Sequence, residues 1–131
     1  VSKIASAVSS HTVTVLNALK SSGVTPAWVQ VGNETDNGMV WPAGRIEWES
    51  KSGSARYSDY AKLSNAGYDA VKQVFPDTPV IVHIANAYSA GEYDGWFFKE
   101  FKEAGGKFDI IGLSHYPMGE VFHGLREVPR T

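Results

Sequence analysis

A carboxylate and an amide stand side by side at the end of a short apolar run. The run extends from Ala27 to Val31, interrupted by Gln30, and Asn33 and Glu34 follow it after one glycine. Such a run is typical of a parallel strand covered on both faces. The end of a strand can hold a carboxyl group rigidly enough to act as a general acid or base. Isolated Asn-Glu pairs are mostly solvated turn residues, so the interpretation depends on what else reaches the same place.

Two further apolar runs also end in polar side chains. His83 and Asn86 close the second run, and Ser114, His115 and Tyr116 close the third. Because parallel strands place their carboxyl ends at one edge of a sheet, ligand sites form there. The two histidines could hydrogen-bond a polar ligand, hold a divalent metal ion, or be satisfied within a polar network. The residues alone leave these alternatives open.

Aromatic side chains supply candidate stacking surfaces for a sugar. The stretch 35–56 is long and irregular, and it contains Trp41 and Trp48. Loops of this length are usually functional or disordered, and two tryptophans argue against disorder. Trp41 suits stacking on a ligand as well as it suits packing, whereas Trp96 lies in a helical pattern and is expected to pack in the core.

Helices and strands are expected to alternate along the chain. The predicted helices span 2–22, 58–75 and 92–104, and the predicted strands span 27–31, 79–86 and 108–117. The first helix shows an apolar stripe that includes Val8, Val15 and Leu19, and Gly23 stands where a helix commonly ends. Ser58 is a candidate cap for the second helix.

This order predicts an α/β fold with a parallel sheet and right-handed crossovers. Three parallel strands leave two open edges, and their helices cover only part of the sheet. A (β/α)₈ barrel, also called a TIM barrel, needs about 250 residues. We therefore expect residues 1–131 to be a fragment of a single barrel.

Composition excludes several classes of function. The 131 residues include no cysteine, which excludes a disulfide framework and a thiolate zinc site. A formal charge of −2 gives no electrostatic reason to bind nucleic acid or an anionic membrane surface. No run of about 18 apolar residues is present that would span a membrane, and no signal peptide is visible.

Several blocks of the sequence resemble one family of enzymes. These are VTPAWVQVGNETDNGMVWPAG, AKLSNAGYDAVKQ, VIVHIANAY, WFFKEF and FDIIGLSHYP, in this order. Together they are similar to glycoside hydrolase family 53, the arabinogalactan endo-β-1,4-galactanases. The block around Gly32-Asn33-Glu34 with its following Trp41-Pro42 is specific, whereas Gly-Asn-Glu alone recurs in many related barrels.

The resemblance implies a retaining hydrolase on a (β/α)₈ barrel, with the three strands as its fourth to sixth. It implies that Glu34 is the general acid/base and that Asn33 binds the 2-hydroxyl of the sugar. The implied nucleophile is a glutamate after the seventh strand, beyond Thr131, and no glutamate in the chain fits that role. We therefore expect these 131 residues alone to be inactive.

Further expectations concern the ligand, the partners and the location. The expected substrate-binding residues are Asn33, Trp41, His83, Asn86, His115 and Tyr116. No cofactor and no metal ion is expected, and the expected partner is β-1,4-galactan rather than nucleic acid or membrane. The resemblance implies an extracellular, secreted enzyme that is monomeric at full length. The sequence departs from the family at Thr35, usually aliphatic, and at His115, usually tyrosine.

Two other functions stay open at this point. One is a metal-dependent hydrolase on the same barrel, with His83 and His115 as ligands from adjacent strands. It requires further ligands from strands that the chain lacks. The other is a non-catalytic remnant that binds carbohydrate without cleaving it. Chelator sensitivity would favour the first, and oligosaccharide binding without product would favour the second.

Overall fold

The computed structural model describes residues 1–85 and 93–114. The helices are α1 Ser2–Ser21, α2 Ser58–Val74 and α3 Tyr93–Glu103, and the strands are β1 Val29–Gln30, β2 Gly38–Met39, β3 Gly44–Arg45, β4 Val80–Ile84 and β5 Ile110–Leu113. Short 3-10 helices cover Thr35–Asn37 and Gly53–Tyr57. The three predicted helices and three predicted strands are therefore confirmed as elements, although each strand is shorter than expected.

Strands β1, β4 and β5 form a parallel sheet in that order. Gln30 pairs with Ile81, and Ile81 pairs with Ile110, so these residues share one face of the sheet. Two residues further along β4, His83 pairs with Gly112 and lies on the same face. The predicted α/β fold with a parallel sheet is confirmed.

The opposite face of β4 is covered by the helices. Val80, Val82 and Ile84 are fully buried there, in clusters that also include residues of α2 and α3. Burying an aliphatic side chain of this size contributes about 1.5–3 kcal/mol. This layer fixes the strand, and with it the direction in which His83 projects.

Helix α1 ends in a Schellman motif at Gly23. Val24 N–H donates to Leu19 O and Gly23 N–H donates to Lys20 O, both at 3.0 Å, and Gly23 has a φ of +76°. The predicted apolar stripe was wrong at Val15, which is 45% exposed, because Leu16 occupies the buried position instead. The expected capping role of Ser58 is also wrong: Ser58 is the first residue of α2, and Tyr57 occupies the N-cap position.

An ion-pair cluster ties α2 to the amino-terminal ends of β4 and β5. Asp109 accepts hydrogen bonds from Lys72 Nζ and Val80 N–H, each at 2.8 Å, and from the Tyr68 hydroxyl at 3.1 Å. Partial burial raises the pKa of Asp109, but these donors outweigh it and hold the pKa below its ordinary value. The partial burial of Tyr68 itself, and then its bond to Asp109, raise the pKa of Tyr68.

None of the helices among residues 1–85 and 93–114 is both long and apolar enough to cross a bilayer.

Candidate active site

A tight turn carries the chain from β1 into the candidate site. Glu34 adopts the left-handed conformation, with φ +49° and ψ +57°. Such a backbone is uncommon for a residue with a side chain and costs about 1–3 kcal/mol, so it persists where surrounding contacts enforce it. The contacts of Thr35 and Asp36, the two residues after Glu34, enforce this conformation.

Two buried side chains anchor the turn behind Glu34. The Thr35 hydroxyl lies 2.7 Å from the Tyr60 hydroxyl and donates to the carbonyl of His83 at 2.9 Å. Asp36 accepts the N–H of Ala85 at 2.7 Å. The turn after β1 is therefore fastened to the end of β4. The threonine that departs from the resembled family makes polar contacts that an aliphatic residue lacks.

Tyr60 stays neutral in this anchor. Burial raises the pKa of Tyr60 to about 12, although its bond with Thr35 acts in the opposite direction. The phenol therefore keeps its hydrogen throughout the neutral range. It forms a neutral hydrogen bond with Thr35 inside the aromatic layer of Tyr57, Phe97 and Phe101.

Glu34, His83 and Ser114 meet at the carboxyl ends of the three strands. Glu34 N–H donates to His83 Nδ1 at 3.2 Å, and the Ser114 hydroxyl donates to Glu34 Oε1 at 2.7 Å. Ser114 Oγ also lies 3.0 Å from His83 Nε2. These contacts bring the three residues together at one rim of the sheet.

Gly112 makes room for the imidazole. A Cβ at Gly112 would lie 2.8 Å from Ile81 Cγ2 and 3.3 Å from both Cβ and Cδ2 of His83. Because Gly112 is the register partner of His83, any side chain there would press directly on the ring. The glycine thus permits the orientation that brings Nε2 to Ser114.

Asn33 is exposed and its amide is oriented from one side. Gln30 Nε2 donates to Asn33 Oδ1 at 3.2 Å and to the carbonyl of Gly32 at 2.8 Å. Since Oδ1 accepts this hydrogen bond, the NH₂ group of Asn33 is the donor that can face a ligand.

The stretch 35–56 folds into an ordered loop around Asn37. Strands β2 and β3 pair as an antiparallel hairpin, and the Trp41–Pro42 peptide bond is cis. The carbonyl of Asn37 accepts from Trp41 Nε1 at 3.0 Å, and its side-chain oxygen accepts from Trp48 Nε1 at 2.8 Å. Both indoles are thereby fixed to the helical turn that follows Glu34.

The two indoles have different surroundings. Trp48 stacks on Trp96 with 5.6 Å between ring centroids, so the predicted core packing of Trp96 is confirmed. Trp41 is 58% exposed, and the guanidinium of Arg45 lies 5.0 Å from the centroid of its ring. With Arg45 over one face, the exposed area of Trp41 is open to a planar or apolar ligand surface.

Three of the expected substrate-binding residues, Asn86, His115 and Tyr116, lie outside the described residues. Glu34 is exposed, and the described residues do not enclose its carboxyl group. Ser114 was recognised in the sequence only as a strand-end polar residue. Its direct bond to Glu34 depends on strand register, which the sequence did not reveal.

The metal-site alternative finds no support in the geometry of His83. Both ring nitrogens are within hydrogen-bonding distance of protein groups, Glu34 N–H and Ser114 Oγ. Residues 1–85 and 93–114 hold no group of three or more histidine, aspartate or glutamate residues suited to a metal ion.

The fold and the site define a segment of a (β/α)₈ barrel that carries a glutamate at the carboxyl rim of its sheet. The chain belongs to glycosyl hydrolase family 53, whose sequence profile matches residues 1–127. The structure is similar to an Ignisphaera aggregans GH53 catalytic domain, with a TM-score of 0.73 and 31% identity over 87% of this chain and 29% of that one. The expected fold class, part of a TIM barrel, is confirmed.

Curated relatives show the same similarity. A protein of Niallia circulans, described as an uncharacterized protein in the bgaB 5′ region, is 36% identical over 95% of this chain and 33% of its own length. The arabinogalactan endo-β-1,4-galactanase of Cellvibrio japonicus is 33% identical over 88% of this chain and 30% of its own length. The chain thus spans about a third of the length of the curated relatives that it matches.

Proposed function

We propose that these residues belong to the catalytic barrel of an endo-acting β-1,4-galactanase, which hydrolyses internal bonds of galactan and arabinogalactan. Membership of family 53 and the names of several relatives support this substrate. The single observation that carries the assignment is the position of Glu34. Its carboxyl group stands at the strand ends and is oriented by Ser114 at 2.7 Å.

In the proposed reaction Glu34 acts first as an acid and then as a base. It protonates the glycosidic oxygen as the bond to the leaving sugar breaks, and it later takes a proton from the water that releases the product. Retention requires a second carboxylate about 5–5.5 Å away as the nucleophile. We place that residue on a part of the barrel outside residues 1–131. We therefore propose that these residues alone do not turn over substrate.

The proposed substrate contacts surround Glu34. The NH₂ group of Asn33 donates to the 2-hydroxyl of the sugar, and the open face of Trp41 stacks on a neighbouring sugar. Asn86, His115 and Tyr116 remain proposed substrate contacts from the resemblance. The hydrogen-bonding groups of His83 are engaged within the protein, so in this proposal His83 acts toward Glu34 rather than toward a sugar hydroxyl.

The proposed biological setting follows from the substrate. A polysaccharide outside the cell requires a secreted enzyme, and we propose extracellular action by a monomeric full-length protein. Residues 1–131 are proposed to be one continuous piece of its single catalytic domain. The proposal involves no cofactor, nucleic acid or membrane.

Glu34→Gln in the full-length protein tests the proposal. The amide cannot donate an acidic proton, so turnover of galactan should fall about a hundredfold or more. An aryl β-galactobioside with a strongly acidic phenol needs no protonation to leave, so formation of the glycosyl-enzyme should be largely retained. Glu103→Gln, at an exposed position near the end of α3, is the matched control and should change neither rate.

Two outcomes would contradict this assignment. Nearly unchanged hydrolysis of galactan by Glu34→Gln would remove the acid role. Binding of galacto-oligosaccharides by the wild-type full-length protein without any product would favour a non-catalytic carbohydrate-binding function instead.

A further inference from the structure

Three hydrogen bonds link Glu34, His83 and Ser114 in a closed ring. The ring passes from the backbone N–H of Glu34 to His83 Nδ1, from His83 Nε2 to Ser114 Oγ, and from the Ser114 hydroxyl back to Glu34 Oε1. The residues come from the ends of three strands, and 80 positions separate Glu34 from Ser114. The ring therefore forms only when all three strands are in register.

A backbone amide sets the direction of every bond in the ring. Because an N–H can only donate, His83 Nδ1 must accept and carries no hydrogen. The neutral imidazole then has its hydrogen on Nε2, which donates to Ser114 Oγ. The serine hydroxyl, having accepted from His83, directs its own hydrogen to Glu34 Oε1.

This direction excludes a serine nucleophile. An activated serine gives its hydrogen to an unprotonated Nε2, while the other ring nitrogen donates to a carboxylate. In this ring Nδ1 accepts and Nε2 donates, so His83 cannot serve as a base for Ser114. The serine and histidine instead act on the glutamate.

We infer that Ser114 and His83 are positioning residues that assign different tasks to the two oxygens of the Glu34 carboxyl group, an inference that depends on the proposed function. Oε1 is held by the serine hydroxyl, so Oε2 is the atom that gives and receives the catalytic proton. Ser114 touches neither substrate nor nucleophile in this role. It keeps Oε2 aimed at the glycosidic oxygen through the steps in which Glu34 gains and loses its proton.

The immediate surroundings of the ring support this role. Gly112 leaves space for the imidazole, and the carbonyl of His83 accepts from the buried Thr35 hydroxyl. His83 is thus fixed through its ring and through its backbone. A carboxyl group that is otherwise exposed gains a fixed orientation from neighbours that are themselves immobilised.

Kinetics of Ser114→Ala in the full-length protein test the inference. Loss of one hydrogen bond to an ionisable group should lower kcat on galactan about ten- to a hundredfold, with KM little changed. The loss should be at most about threefold on an aryl galactobioside whose leaving group needs no acid. Ser114→Thr restores the hydroxyl and should recover most of the galactan activity, which shows that the alanine effect comes from the hydroxyl.

Nuclear magnetic resonance of ¹⁵N-histidine-labelled full-length protein gives a readout independent of activity. The His83 signals, assigned by their absence in His83→Gln, should show the Nε2–H tautomer at neutral pH, and the Nε2 proton should exchange faster in Ser114→Ala. An Nδ1–H tautomer would overturn the inference. Equal losses on both substrates, or unchanged kcat on galactan, would also overturn it.

These results separate the inference from the proposed function. If the wild-type full-length protein leaves galactan uncleaved, the proposed function fails, and the positioning role for catalysis fails with it, whereas the tautomer still reports whether the ring exists. If the wild type cleaves galactan and Ser114→Ala behaves like it, only the inference fails.

Discussion

The carboxylate of Asp36 accepts the backbone N–H of Ala85 at 2.7 Å, and this bond joins the turn after β1 to the end of β4. Asp36 is 5% exposed, so the bond is shielded from water. Glu34 precedes this aspartate by two residues and His83 precedes the alanine by two. Together with the bond from Thr35 to the carbonyl of His83, this part-buried hydrogen bond helps to determine whether the acid and the imidazole meet.

Asp36→Ala should destabilise the protein by about 1–3 kcal/mol, because the N–H of Ala85 loses its charged acceptor. Asp36→Asn keeps an acceptor oxygen and should cost less. Denaturant unfolding of the full-length variants measures both values. Asp59→Ala, which removes a surface ion pair with Lys62, is the control and should cost less than about 0.5 kcal/mol. A loss of stability in Asp36→Ala no larger than that in Asp59→Ala would contradict the anchoring role of Asp36.

Asp109 predicts how stability depends on pH. Its pKa is lower in the folded protein than in the unfolded chain, so its contribution is complete above the unfolded value and disappears as pH falls through the folded one. At neutral pH, Asp109→Asn should therefore be less stable than wild type by only about 1 kcal/mol, since the partners of Asp109 are partly exposed. The difference between variant and wild type should shrink below about pH 4.

Unfolding midpoints measured between neutral pH and pH 3 check the Asp109 prediction. Asp69→Asn removes a more exposed carboxylate that pairs with Lys107, and it should change the profile little. A constant difference between Asp109→Asn and wild type down to pH 3 would show that the charge of Asp109 is not responsible.

Gly112→Ala should distort the site without removing any of its polar groups. The new methyl group would lie 2.8 Å from Ile81 Cγ2 and 3.3 Å from His83 Cδ2, so Ile81 and the imidazole must shift, which disturbs the contacts of the imidazole with Ser114 and Glu34 N–H. We expect kcat on galactan to fall about tenfold or more, since small displacements of positioning groups are costly.

Gly95→Ala is the matched control for Gly112. Gly95 lies in α3, and a Cβ there would meet no atom of residues 1–85 and 93–114 within 4 Å. This alanine should leave activity unchanged and stabilise the helix by up to about 1 kcal/mol. Activity of Gly112→Ala equal to that of wild type would mean that the hydrogen bonds among Glu34, His83 and Ser114 tolerate displacement of the imidazole.

Trp41→Ala should weaken substrate binding while leaving the chemistry intact. Loss of an exposed stacking surface should raise KM for galactan roughly two- to tenfold, with kcat nearly unchanged. Trp48→Ala is an informative comparison, because both indoles bond to Asn37 but Trp48 also packs on Trp96. Trp48→Ala should also lower the thermal unfolding midpoint. A thermal midpoint that falls as far for Trp41→Ala as for Trp48→Ala would indicate a structural role for both indoles.

The sequence by itself determined the order of the three helices and of the three strands in the parallel sheet, with Glu34 after the first of those strands, but it did not indicate the β2–β3 hairpin. Predicting that order was possible because runs of β-branched residues and the spacing of apolar residues are local features of the sequence that indicate strands, helices and their buried faces. The buried face of α2, which includes Tyr60, Leu63 and Val71, shows this helical spacing. The prediction for Val15 was wrong because adjacent residues on a helix point in directions about 100° apart, and only tertiary packing decides that Leu16 rather than Val15 faces the core.

Only the tertiary structure decided what the site residues do to one another. Ser114 reaches Glu34 because β1, β4 and β5 align in one register, and register depends on the whole sheet rather than on any single strand. The tautomer of His83 likewise follows from a backbone N–H that the turn at Glu34 delivers. Hydrogen bonds require distances of about 3 Å between atoms far apart in the chain, and the fold alone sets these distances.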